Sequence, residues 1–144
     1  PPRPEDATLR PFDPPESAPQ TPAIRHPAPS GHRRQITRDL LSGRITVDFP
    51  RWTYDLEMTD IGIRQRSTGH ARYEITEGDP LSAEMTTHYT VDQIRPDGLF
   101  RHESSGRMTC DRTHFHVTAE VVISENGTEI HRRTWQEAFP RDHV

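Results

Sequence analysis

Between Asp111 and Gly127 the chain reads Asp-Arg-Thr-His-Phe-His-Val-Thr-Ala-Glu-Val-Val-Ile-Ser-Glu-Asn-Gly, and Phe115, Val117, Ala119, Val121 and Ile123 occupy every second position. A two-residue period is that of a β-strand with one buried face. Asn126-Gly127 follows at once. Both residues tolerate positive φ, which a tight hairpin needs, so Thr128 to Phe139 is expected to fold straight back.

The same alternation recurs upstream. Residues 33 to 40 and 44 to 50 flank Ser42-Gly43 as a hairpin, with Ile45, Val47 and Phe49 alternating against Arg44, Thr46 and Asp48. Tyr54, Leu56 and Met58 form another short set. Asp60-Ile-Gly-Ile and Ala71-Arg-Tyr-Glu-Ile read as two strands or one irregular one. Glu77-Gly-Asp-Pro is turn chemistry. Leu81 to Val91 gives a long strand that Pro96-Asp97-Gly98 closes. Residues 99 to 110 return, with Gly106 expected at a bulge. No window sustains a 3.6-residue period. The fold class is therefore all-β: an antiparallel meander curled into a sandwich or partial barrel.

The first 30 residues are different, for they hold ten of the 14 prolines. Proline fixes φ and lacks an N–H, so this leader is expected to be extended and neither helix nor inner strand. The domain reading is residues 1–30 as a strap or linker and 31–144 as the β domain. Leu9, Phe12 and Ile24 are the apolar studs that would pin such a strap to a surface. The alternatives are a disordered linker and a ligand for a proline-reading module. The chain opens Pro-Pro without an initiator Met, as a piece of a longer protein would.

Composition removes several functions. The net charge is −4, which disfavours nucleic acid as a partner. All 18 cations are Arg, so no Lys is at hand for a Schiff base or general base. Cys110 is the single cysteine and is expected to be a small buried apolar residue, with no intrachain disulfide. No run of 18 apolar residues is present, so no membrane-spanning helix is expected. With no visible signal peptide, the cytoplasm is the default compartment.

No catalytic constellation stands out, and no cofactor is implied. Gly-x-Ser-x-Gly, a Gly-rich phosphate loop, His-Glu-x-x-His and a Cys pair are all missing from the sequence. His114 and His116 are the best metal candidates: two apart on a strand, they share a side, and His88 and Glu120 would add ligands if neighbouring strands align. A solvated strand face explains the same pair without a metal. Asn126-Gly127-Thr128 matches a glycosylation acceptor but is already explained by the hairpin. Arg33-Arg34 and Arg132-Arg133 are doublets whose side chains diverge in a strand. Glu77 and Asp79 read as turn residues. Trp52 and Trp135 read as packing residues of a core or an interdomain surface. His143, near the C-terminus, has no evident partner.

Four segments in order carry a family resemblance: Pro2-Arg-Pro-Glu-Asp-Ala with Phe12-Asp-Pro-Pro-Glu-Ser-Ala-Pro; Thr37-Arg-Asp-Leu-Leu-Ser-Gly-Arg-Ile-Thr-Val; Tyr73-Glu-Ile-Thr-Glu-Gly-Asp-Pro-Leu-Ser-Ala; and Thr113-His-Phe-His-Val-Thr-Ala with Arg133-Thr-Trp and Phe139-Pro-Arg-Asp-His-Val144. Together they resemble the C-terminal region of CocE/NonD-type serine hydrolases, relatives of Xaa-Pro dipeptidyl-peptidases and cocaine esterase. The resemblance implies a parent enzyme with an α/β-hydrolase domain, a helical cap and a jelly-roll-like β region, cleaving esters or amides through a Ser-His-Asp acyl-enzyme route. It assigns no catalytic residue to this chain, whose matching part lies beyond the triad. On this reading the chain is an accessory β domain that packs against the catalytic and jelly-roll domains of its parent or makes homo-oligomer contacts. The alternative is a small-ligand module with an apolar pocket lined by Tyr89, Phe115 and Trp135.

Overall fold

The structure, a computed structural model, describes residues 3–8, 16–19, 22–27 and 33–142. Eight strands make one antiparallel sheet: β1 (Ala23–Arg25), β2 (Gln35–Arg38), β3 (Arg44–Met58), β4 (Ile63–Thr76), β5 (Asp79–Arg95), β6 (Gly98–Cys110), β7 (His114–Glu125) and β8 (Thr128–Pro140). From β3 to β8 each strand pairs with the next, while β1 and β2 both lie along the outer edge of β3. β8 does not meet β1 or β2, so the meander stays open. Among the described residues no second sheet or helical layer packs on it.

The hairpin that ends the chain forms as its residues require. Asn126 (φ 49°) and Gly127 (φ 83°) both take the left-handed region, the two-residue turn whose twist matches the flanking strands. Asn126 has a second task. Leu99 N–H donates to its Oδ1 at 2.9 Å, and Asn126 N–H donates to the Leu99 carbonyl at 2.8 Å, so the turn is tied to the start of β6.

Tyr54, Leu56 and Met58 belong to β3 and not to a separate strand. Phe49 pairs with Ala71 and Trp52 with Gly69, so Pro50 and Arg51 together face His70 in a bulge. The extra residue shifts the alternation by one, which is why the sequence reads as two short sets. It also admits Pro50, since the ladder is interrupted there. Asp60 to Gly62 form the turn before β4, which is a single strand of 14 residues. Gly106 is not at a bulge: the register runs unbroken through it on both sides. Its size is what the site needs, because an added Cβ would lie 3.0 Å from Thr87 Oγ1.

Part of the leader joins the sheet. Ala23, Ile24 and Arg25 pair with Met58, Glu57 and Leu56, and Pro22 O accepts a hydrogen bond from Thr59 N–H. This is an edge position, the one place where flanking prolines are harmless. Ile24 is no stud: it lies opposite Glu57 and is 51% exposed. Pro4–Thr8 forms a 3₁₀ turn where no helix was expected; Pro4 opens it, at a position that needs no N–H, and Arg3 N–H donates to Asp6 Oδ2. Leu9 and Phe12 lie outside the described residues.

Register sorts the side chains into two faces. Residues paired across an antiparallel ladder point the same way. One face gathers Ile45, Val47, Phe49, Trp52, Tyr54, Leu56, Tyr73, Ile75, Met85, Tyr89, Val91, Met108, Phe115, Val117, Val121, Ile123, Trp135 and Phe139. The other carries charge and hydroxyls. Among the described residues no hydrophobic side chain is fully buried; the buried ones are Ser67, Asp55 and Asp92. A sheet with one apolar face ordinarily packs that face on a second layer. Here the face is formed in full and the chain's described part supplies nothing to cover it.

Candidate functional site

The apolar face has a centre, a hollow and a rim. Across its middle run small residues: Gly69, Ala71, Thr87, Ser104, Gly106 and Ala119. Trp52 lies directly on Gly69, where a Cβ would come within 2.1 Å of the indole. The indole also meets Tyr89, with ring centroids 6.5 Å apart. Glycine at 69 is therefore what lets the indole lie flat on the strand (the aromatic covering of a strand glycine).

At one end, Ile45, Val47, Tyr73, Ile75, Ala83, Met85, Met108, Cys110 and Phe115 line a hollow of about 270 Å³, with Glu74, Glu84 and Thr109 completing the wall. Side chains from five successive strands share it, which shows the curl of the sheet. Cys110 was expected to be buried; it is half-buried in this lining, its thiol 3.8 Å from the Pro80 carbonyl.

Arginine rims the face. Guanidinium groups lie over aromatic rings in five places: Arg25 over Tyr54, Arg34 over Phe49, Arg95 over Phe100, Arg133 over Trp135 and Arg141 over Phe115, at 4.7 to 5.5 Å from the ring centroids. These residues stand at strand ends and sheet edges. The planar guanidinium, unlike an ammonium, covers a ring while staying charged and hydrated at its edge. An apolar centre with a charged rim, rich in Trp, Tyr, Met and Arg, is the make-up of a protein–protein interface.

The polar face is closed on itself. Asp55, Arg66, Asp92 and Arg101 lie in one cross-strand row of alternating sign. Arg64 Nε and Nη2 reach Asp55 at 2.8 Å each, and Arg101 reaches Asp92 at 2.7 and 2.9 Å. Arg107 makes the same fork with Glu84. The Arg64 hydrogen bonds hold the Asp55 carboxyl below its usual range, and Arg107 does so for Glu84. Asp111 falls well below it: His116 Nε2 is at 2.7 Å, and the N–H groups of Thr113 and His114 donate to the same carboxylate.

The metal candidates do not converge. His114 and His116 stand side by side, their rings 6.2 Å apart. His116 is engaged by Asp111 and His114 Nδ1 by Thr113 Oγ1. Glu120 pairs with Arg132, and His88 stands two strands away across Ser105. Among the described residues no group of three or more His, Cys, Asp or Glu is placed to hold a metal. Tyr89, Phe115 and Trp135 do not share a pocket: Phe115 lines the hollow, Tyr89 meets Trp52 at a tilt, and Trp135 lies opposite Ala119. The doublets diverge as the strand period requires, with Arg132 on Glu120 and Glu129 and Arg133 on Trp135. Glu77 stands in the turn and holds Arg38, whereas Asp79, expected in the turn as well, is the first residue of β5 and accepts from Leu81 N–H. His143 lies outside the described residues.

Sequence reading missed the arginine rim and the charge row. Both depend on register between strands, which the order of residues along one strand does not carry. Among the described residues no helix is long and apolar enough to cross a membrane. No protein-family pattern matches the chain, and no curated protein or solved structure is significantly similar to it.

Proposed function

We propose that this chain is a non-catalytic packing module, and that its parent is a CocE/NonD-like serine hydrolase. The carrying observation is the uncovered apolar face: a sheet of long strands in which no hydrophobic side chain is fully buried. Such a face is completed by a partner surface. The arginine rim specifies that surface further, as an apolar patch bordered by carboxylates. In the parent, the partners are its catalytic and jelly-roll domains, and the module's work is to position them and to support oligomer contacts. The ester or amide chemistry resides upstream, and the compartment is the cytoplasm. Nucleic acid and membrane are not partners in this reading.

The test is deletion of residues 31–144 from the parent. The expected result is lower thermal stability, a changed assembly state and reduced turnover. A truncated enzyme that keeps all three overturns the proposal.

The hollow of about 270 Å³ supports a second reading, a site for a small apolar ligand, because its lining is almost wholly hydrophobic. NMR titration of the Met85 and Met108 methyl groups with small aliphatic and aromatic compounds separates the two. Saturable shifts confined to the hollow favour the ligand site; unsaturable shifts across the whole face count against it.

A further inference from the structure

The two edges of the sheet differ. On one side β1 and β2 cover parts of β3. On the other, β8 is 13 residues long and exposed at every position except Trp135. A long free edge presents unpaired N–H and C=O groups to any strand that fits. β8 is also unevenly provided with partners. On the polar face Arg132 is held by Glu120 and Glu129. On the apolar face Arg133 and Glu137 have no ion-pair partner among the described residues; Arg133 rests on the Trp135 ring at 4.7 Å.

We propose that β8 pairs antiparallel with β8 of a second copy of this chain, about a two-fold axis at Trp135. The register follows from the strand itself. The irregularity between β7 and β8 sets Ile130 out of the ladder, so the regular run begins at His131 and is centred near Trp135. Pairing about Trp135 places Arg133 opposite Glu137 of the other copy, and Glu137 opposite its Arg133. The two unpaired charges of each copy are thereby matched. Trp135 meets its own counterpart on the apolar face, and Thr134 meets Gln136 on the polar one. Moving the axis to Arg133 would instead set Arg133 directly against Arg133, like charges opposed, and would carry Glu137 past the end of its partner's regular run at His131. Every pair in the chosen register keeps its face, so the two apolar faces join into one continuous surface. The apolar faces themselves do not suit each other, since each carries the same arginine rim.

This deepens the packing-module reading by naming one partner, and it fails separately from it. The experiment is sedimentation velocity on the 144-residue chain and on Arg133→Glu, Glu137→Arg and the double exchange, with circular dichroism to confirm folding. Both positions are exposed. The expected result is a dimer whose dissociation constant rises about tenfold or more in each single variant, from two like-charge contacts per dimer, and returns to within about threefold of the original in the double exchange. A monomer at all concentrations overturns the proposal. So does a dimer indifferent to the single changes, or one that the double exchange does not restore. None of these outcomes touches the deletion test of the parent.

Discussion

The two faces of this sheet are built from the same strands and solve opposite problems. On the polar face each buried carboxylate has its guanidinium within the chain: Asp55 with Arg64, Asp92 with Arg101. On the apolar face the large side chains are all present but none is fully buried. One face is therefore satisfied within the chain, and the other is left uncovered by the described residues. The lesson is that charge satisfaction is local to a ladder, whereas hydrophobic burial needs a second layer. A single sheet can provide the first and not the second.

Four tests bear on that contrast, from the largest effect to the smallest. Met85 and Thr86 are neighbours on β5 that face opposite ways. Met85→Asp should weaken the proposed docking of the module by about 3–5 kcal/mol, the cost of an unpaired charge in an apolar contact, while Thr86→Asp should leave it unchanged. Calorimetric titration of the isolated module against the rest of the proposed parent reads both, and equal effects would dissolve the distinction between the faces.

Gly69→Ala forces the Trp52 indole off the strand. Its expected cost is roughly 1–3 kcal/mol in urea unfolding. Adding Trp52→Ala should remove most of the incremental penalty, since the clash then has no second party. If the two losses simply add, the indole is not what requires glycine.

Asp55→Asn tests the polar face. It loses charge-assisted hydrogen bonds to Arg64 and Arg66, and in a layer one sheet thick solvent stays close, so about 1 kcal/mol is expected. An unchanged urea midpoint would show that the row contributes specificity of register and not stability.

The smallest effect concerns pH. Asp55, Glu84 and Asp111 all have folded carboxyls below their ordinary values. A depressed folded pKa gives stability that is present above the unfolded value and lost as pH falls through the folded one. Stability contributed by these groups should be level from neutrality down to about pH 5, then decline with further acid. Asp111→Asn should lower stability at neutral pH and flatten the acid limb. Stability that rises on acidification from pH 5 to 3 would reverse the sign.

Much of this was legible in the sequence. The Phe115 to Ile123 alternation and Asn126-Gly127 specify β7, its turn and β8 by local rules alone, and the fold class follows from repeating them. What local rules could not carry was phase. The Pro50–Arg51 bulge moves Trp52 back to the side of Phe49, and no propensity announces that shift. The same limit hid the candidate face. Arg25 and Tyr54 are distant in sequence, and Arg34 lies just before β2 while Phe49 lies in β3; they meet only once β1, β2 and β3 are in register. His114 and His116 show the converse: the period placed them correctly on one side, but the third and fourth ligands depended on strand alignment, and Glu120 is taken by Arg132 while His88 stands two strands away.

Trp52 has one more consequence. An indole lying flat on Gly69 at the centre of the apolar face, against Tyr89, is a built-in optical gauge. Whatever covers the face also dries that ring. Its emission should move to shorter wavelength as the module docks, so occupancy of the face can be followed in solution without attaching any dye.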